Sequence, residues 1–436
     1  MLPLLLMTAL AAEDIKPLPP IPHPRQLAWQ KMQQYAFVHF GPNTFTDVEW
    51  GEGKEDPKLF NPTALDCGQW ARTAKAAGLT GIIITAKHHD GFCLWPSKYS
   101  THTVAQSLYK GDVLRELSNA CKKEGLKMGV YLSPWDRNHP SYGTPEYNQV
   151  FANMLREVLT SYGPIFEVWF DGANGEGPNG KKQVYDWPLF VNTVRKYQPN
   201  AVIFSDAGPD IRWVGNESGH SDPECWSTID RDRYVAGTPL YQELTKGKRG
   251  GKDWVPAECD VSIRPGWFYH KEQDGQVKSP ETLMKLWEES VGQNGSFLLN
   301  VPPDRRGLWH ENDVMALLGW KKLLDEVYGK PLNVAAAFSG PADPGDSALV
   351  NVTLSKPRIF DRVELREPIG LGQRIAGFRI EALVDEKWTV LSNQTTVGNR
   401  RIVRVPRTKS DRIRIVITDS LAEPLLTSVI LYWTGR

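Results

Sequence analysis

Two carboxylates in unlike surroundings stand out in this chain. Asp171 follows the apolar run Ile165 to Phe170 and precedes Gly172. Such a run reads as a buried strand, which would hold the carboxylate rigidly. Trp169 and Phe170 give it an apolar surround, and Gly172 lets another group approach the backbone. A carboxylate held this way suits nucleophilic attack on the anomeric carbon of a sugar. That chemistry needs a second carboxyl able to donate a proton, and Glu49, Glu217, Glu224 and Glu258 are candidates. Glu217 ends the segment Trp213-Val214-Gly215-Asn216-Glu217, whose aromatic shielding would raise its proton affinity. Glu258 ends a strand-like run, Trp254 to Ala257. Residue chemistry alone leaves Glu217 and Glu258 both open.

The histidines point the same way. His39 closes the apolar run from Tyr35, and Lys87-His88-His89-Asp90-Gly91 follows the run Leu79 to Ala86. Adjacent His88 and His89 cannot easily face one metal ion from a regular strand, and no HExxH motif accompanies them. Neutral imidazoles suit hydrogen bonds to sugar hydroxyls better. No GxSxG elbow, P-loop or GxGxxG after the first strand is present, so no metal or other cofactor is expected.

These groups converge only if the elements beneath them form a barrel. From about residue 27 to 330 apolar β-rich runs alternate with helical patterns. Expected helices are Asp66–Ala77, Asp112–Glu124, Tyr147–Tyr162, Trp187–Lys196 and Ser279–Val291; expected strands include Lys127–Leu132, Ala201–Phe204 and Ser296–Val301. This alternation implies a parallel sheet, closed or doubly wound. Polar strand ends at His39, His88, Tyr131 and Asp171 favour a (β/α)8-like, TIM-type barrel over residues 27–332, where chemistry sits at the C-terminal strand ends. After Gly329-Lys330-Pro331 the runs become short and β-rich, including Ala348–Leu354, Arg358–Glu364, Ile402–Val405 and Ile413–Thr418. That pattern predicts a C-terminal antiparallel β-sandwich over 333–436.

Residues 1–12 carry the apolar run Leu2 to Leu10 and the triplet Ala9-Leu10-Ala11, as a secretory signal peptide does. Residues 13–26 read as a Pro-rich linker. Together they predict an exported protein, periplasmic or secreted. The five cysteines have no metal-type spacing, and buried, inert thiols are expected. The 51 basic and 51 acidic residues cancel, which argues against nucleic acid as partner. No segment has the length of a membrane span. The 16 Trp exceed ordinary usage and fit either core aromatics or a site lined with flat apolar faces.

The segments FVHFG (37–41), Glu49-Trp50, TAKHHDGFCLW (85–95), GVYLSPWD (129–136), VWFDG (168–172) and LLNVPP (298–303) resemble the α-L-fucosidases of glycoside hydrolase family 29. WVGNE (213–217) and ECDVSIRPGWFYH (258–270) resemble the subfamily specific for α-1,3/1,4-linked fucose. The resemblance implies a retaining, metal-independent exo-α-L-fucosidase acting on fucosylated, Lewis-type glycans through a covalent fucosyl-Asp intermediate. It implies Asp171 as nucleophile and Glu217 as acid/base. It implies a fucose pocket of His39, Glu49, Trp50, His88, His89, Tyr131 and Trp309, with an indole face over the C5-methyl side. Retention would place the two carboxyls about 5–5.5 Å apart. The alternatives are a carbohydrate-binding protein without catalysis and a retaining glycosidase for another sugar, such as an α-galactoside.

Overall fold

A computed structural model describes residues 15–237, 241–333, 337–338 and 349–435. The expected signal peptide lies outside the described residues. The expected boundary between the two domains, near residue 333, borders the undescribed residues 334–336.

The first part of the chain carries strands β1 (Gln34–Val38), β2 (Gly81–Lys87), β3 (Lys127–Leu132), β4 (Ile165–Trp169), β5 (Val202–Ser205) and β6 (Ile211–Trp213). Next come β7 (Thr228–Ile229), β8 (Asp253–Trp254), β9 (Ala257–Ser262) and β10 (Ser296–Asn300). Helices α1 (Pro24–Gln30), α2 (Pro42–Thr46), α3 (Cys67–Ala76), α4 (Val113–Glu124) and α5 (Pro145–Ser161) interleave with them. They continue with α6 (Trp187–Tyr197), α7 (Tyr241–Lys246), α8 (Pro280–Ser290) and α9 (Glu311–Val327). Eight strands close in the order β1-β10-β9-β6-β5-β4-β3-β2. The pairs are parallel throughout, as a TIM-type barrel requires.

Local chemistry explains these elements. Strand β2 is buried at every position, because the barrel interior covers one face and the helices the other. Helix α4 buries Val113, Leu114, Leu117, Ala120 and Cys121 along one face. The Asp112 side chain caps its first turn by accepting from the Arg115 amide, and Gly125 ends it with φ 73°, a conformation that costs glycine little.

The structure corrects the expected strand Trp254–Ala257. Trp254 belongs to β8, which pairs antiparallel with β7 outside the barrel, and the barrel strand β9 starts only at Ala257. Strand β6 supplies the further barrel strand that the sequence reading lacked. Its centre is Arg212, which interrupts any apolar run. The guanidinium is fully buried and donates to the carbonyls of Leu244 (2.8 Å), Trp226 (2.9 Å) and Val255.

The C-terminal part is antiparallel: β11 (Ala337–Phe338), β12 (Leu349–Arg366), β13 (Ile375–Val384), β14 (Lys387–Gln394), β15 (Arg401–Ser420) and β16 (Ser428–Tyr432). They form one six-stranded sheet in the order β11-β12-β15-β13-β14, with β16 on β12. Apart from Ala348, which lies outside the described residues, the separate runs 348–354 and 358–364 belong to one strand, and so do 402–405 and 413–418. Register shifts between Thr353 and Arg358 and between Phe360 and Arg362 replace the expected turns. Pro357 falls in the first irregularity and Pro406 opposite the second, where a missing N–H breaks the ladder least. Val350, Val352, Phe360, Val363, Val403 and Ile415, from both halves of β12 and β15, share one core. The bent sheet thus encloses a core as a sandwich does.

This sheet docks on the outside of the barrel. Buried Glu288 of α8 accepts from Arg362 (3.0 Å), Arg404 (2.7 Å) and Tyr328 (2.6 Å).

Candidate active site

A cavity of about 940 Å³ opens at the C-terminal ends of the barrel strands. None of its lining residues comes from the C-terminal sheet. His39 follows β1, His88 and His89 follow β2, Tyr131 lies in β3, and Asp171 follows β4 by two residues. Trp213 lies at the end of β6, with Glu217 four residues on, and Asp260 lies in β9. All of these line the cavity, as do Glu49 and Trp50.

Asp171 is held at both oxygens. The Tyr131 hydroxyl donates to Oδ2 at 2.9 Å and the Ala173 amide to Oδ1 at 2.8 Å. Beneath it the aromatic rings stack. Tyr131 lies on Trp169 (5.2 Å, 26°) and Trp169 on Phe204 (3.9 Å, 9°). These strand residues form a stiff floor, since ring stacking adds to burial.

Burial keeps the histidines neutral. It pushes His39 and His89 down to about 4 and His88 well below the usual imidazole range. Their partners fix the tautomers. Asn300 donates from Nδ2 to the Trp267 carbonyl at 2.8 Å, so its Oδ1 accepts from His39 Nδ1 at 2.9 Å. His39 therefore presents an unprotonated Nε2. Ser133 donates to the Trp135 carbonyl at 3.0 Å and accepts from His89 Nδ1 at 2.7 Å. His89 Nε2 is then an acceptor too, 3.8 Å from Asp171 Oδ2. The His88 ring lies nearly parallel to Tyr131 (5.7 Å, 15°), and its buried Nδ1 has no hydrogen-bond partner among the described residues. Such a cluster accepts hydrogen bonds from hydroxyls, the groups that cover a sugar ring.

Glu217 stands on the solvent-exposed wall. Partial desolvation of its carboxyl is the largest cause of a raised pKa. The Trp267 indole N–H, donating at 3.2 Å, opposes the shift, while the charges of Asp171 and Glu49 add to it. Glu49 accepts the Trp267 amide at 3.0 Å. Trp50 is 58% exposed and meets His89 and Trp135 edge-on.

Trp309 is corrected. It is buried in the barrel's outer core and does not line the cavity. The loop after β10 folds back on α3. There the Gln69 side chain bonds both the amide (3.0 Å) and the carbonyl (2.9 Å) of Trp309. Glu258, the other candidate acid, is fully buried below the cavity, hydrogen-bonded to Tyr35 and, at 2.8 Å, to the Trp169 indole. Glu224 pairs with Lys246 at 2.6 Å away from the cavity.

Sequence reasoning missed Asp206, Asp260 and Asn300. Asp206 lines the cavity just after β5, and burial raises it to about 6. The segment Ile203-Phe204-Ser205-Asp206 repeats the apolar-strand-then-Asp pattern that marked Asp171. Asp260 accepts the Trp213 indole N–H at 2.8 Å. All five cysteines are buried and unpaired. Among the described residues no helix is long and apolar enough to cross a membrane.

Comparison with known proteins agrees with this geometry. The family model described as Alpha-L-fucosidase matches residues 23–328. Alpha-L-fucosidase 1 of Arabidopsis thaliana is 40% identical over 449 residues, covering 95% of this chain and 88% of that protein. A glycoside hydrolase 29 family member from an unknown rumen bacterium superposes with a TM-score of 0.91 at 42% identity, over 97% of this chain and 78% of the other. A Ruminococcus gnavus GH29 fucosidase solved in complex with fucose gives a TM-score of 0.88 at 29% identity, over 98% and 97% of the two chains. This chain belongs to the α-L-fucosidases of glycoside hydrolase family 29 and is a glycoside hydrolase of that kind.

Proposed function

We propose that the protein releases α-1,3/1,4-linked fucose from branched, Lewis-type glycans with retention of anomeric configuration. Asp171 attacks the anomeric carbon while protonated Glu217 gives its proton to the leaving glycosidic oxygen. The C–O bond to the aglycone breaks and a fucosyl-Asp171 ester forms. Glu217, now a carboxylate, takes a proton from water, and that water displaces Asp171 to release fucose. The observation that carries this reading is the contrast between the two carboxyls in one cavity. Asp171 is fixed at both oxygens, whereas Glu217 is exposed, partly desolvated and raised in pKa. General acid–base catalysis of this kind contributes about 10²–10⁴-fold.

The acceptor nitrogens of His39 and His89 would accept hydrogen bonds from fucose hydroxyls. Trp50, exposed at the mouth, would cover an apolar sugar face. The fucose complex of the similar Ruminococcus gnavus enzyme supports fucose as the ligand of this cavity. The linkage preference rests on the segments 213–217 and 258–270. Export belongs to the same proposal, because it places the enzyme where fucosylated glycans are met.

Turnover of Lewis trisaccharides against a linear α-1,2-fucoside tests the assignment. Preferential release from the Lewis trisaccharides is expected. Equal or faster release from the α-1,2-fucoside would overturn the linkage preference.

A further inference from the structure

His270 does not line the cavity, yet it bridges two carboxylates at its mouth. Its Nε2 lies 2.7 Å from Glu49 Oε1 and its Nδ1 lies 2.9 Å from Asp47 Oδ1. Carboxylate oxygens only accept hydrogen bonds, so both contacts are satisfied only when each ring nitrogen carries a proton. A neutral ring would turn a lone pair against one carboxylate. The side chain of His270 is 14% exposed, while its partners Asp47 and Glu49 are 44% and 38% exposed, so the ring is sheltered at the rim of a wet mouth. The Arg305 guanidinium also lies 3.8 Å from the same Asp47 Oδ1. Burial disfavours the cation, but the bonds and charges of Glu49 and Asp47 outweigh it and raise His270 above the usual imidazole range.

The contact continues into the site. Glu49 Oε2 accepts the Trp267 amide at 3.0 Å, and the Trp267 indole donates to Glu217 Oε2 at 3.2 Å. Gly266 makes the close approach workable. A Cβ there would fall 2.3 Å from Glu49 Oε1 and 3.0 Å from the His270 ring. One chain of hydrogen bonds therefore runs Asp47, His270, Glu49, Trp267, Glu217.

We propose that His270, as an imidazolium, is a positioning residue. It clasps the 47–50 loop to the 267–270 loop and so holds Glu49 and Trp267 against Glu217. Its positive charge also offsets that of Glu49, which otherwise raises the proton affinity of Glu217 further. This inference rests on the reading of Glu217 as acid/base.

The test compares H270Q, D47N and E217Q with the unmodified enzyme, using pH profiles of kcat/KM on a Lewis trisaccharide. In H270Q a drop in kcat/KM of about tenfold is expected, as for loss of a charged hydrogen bond. The alkaline limb of its profile should move to higher pH, because Glu49 is no longer compensated. A residue with a merely structural role would not move that limb. An unchanged limb and rate in H270Q, with E217Q inactive, overturns the positioning role while leaving the acid/base assignment standing. An E217Q enzyme that keeps its activity overturns the assignment itself. Histidine NMR titration of D47N, which keeps the ring, decides if H270Q fails to fold. The His270 pKa should fall by about half a unit or more when one carboxylate partner is neutralised. An unchanged His270 pKa in D47N overturns the bridge.

Discussion

The Tyr131 hydroxyl donates to Asp171 Oδ2 at 2.9 Å from a ring that rests on Trp169. The carboxyl of Asp171, the proposed nucleophile, is thus aimed by a strand residue at Oδ2 and by the Ala173 amide of the following loop at Oδ1. In the proposed second step Asp171 would leave as a carboxylate, and the Tyr131 donor would stabilise it. Tyr131→Phe keeps the ring and its stacking but removes that bond. Loss of a hydrogen bond to a charged group costs about 1.5–3 kcal/mol, so kcat should fall about ten- to a hundredfold. Steady-state kinetics on an aryl fucoside checks this, with the melting temperature as control for folding.

Glu217→Gln separates acid from base. On a natural glycan the leaving oxygen needs a proton, and turnover should drop about 10²–10⁴-fold. On a fucosyl fluoride, whose leaving group needs little help, the first step should persist and the second should stall. Added azide, which needs no base, should then accelerate turnover and give fucosyl azide. No response to azide would remove Glu217 from the base role.

The raised pKa of Glu217 sets the sign of the pH response. The proposed first step needs its protonated form, so activity should be present below the folded pKa and be lost as pH rises through it. The alkaline limb of kcat/KM should therefore lie above the ordinary glutamate value of about 4.3. It should be absent from the residual activity of Glu217→Gln toward fucosyl fluoride. A limb of the same position in both enzymes would assign the titration to another group.

Trp309 should matter for stability and not for binding. It is 1% exposed in the outer core of the barrel. Truncating a buried Trp costs about 3–5 kcal/mol, so Trp309→Ala should melt well below the unmodified protein. Trp309→Phe, a milder change, should leave KM for a fucoside within about twofold, because free energies at non-contacting sites add. A large rise in KM with unchanged melting would return Trp309 to the pocket.

Much of this site was legible because strand ends carry the chemistry. The apolar run before Asp171, the all-buried run before His88 and the run from Gly129 to Leu132 are long enough to show as strands. Their C-terminal residues then meet by barrel geometry. Strand β6 was not legible, since three residues centred on Arg212 carry no apolar period. Trp254 was misplaced because a two-residue side strand and a barrel strand follow one another with only Val255 and Pro256 between. In the C-terminal sheet, Pro357 and Pro406 read locally as strand breaks, yet the partner strand carries the ladder past both. Trp309 could not be placed from sequence. Its position depends on Gln69, 240 residues away. The Trp excess divides accordingly: Trp50, Trp169, Trp187, Trp213 and Trp267 line the cavity, while Trp70, Trp309 and Trp320 fill the core.

The proposed double displacement through Asp171 fixes the anomeric form of the first product. Proton NMR during rapid hydrolysis of a Lewis trisaccharide resolves the two anomers of fucose before they interconvert. With retention, α-fucose should appear first and the β-anomer only later, by mutarotation. Initial release of β-fucose would mean a single displacement by water and would contradict a fucosyl-Asp171 intermediate.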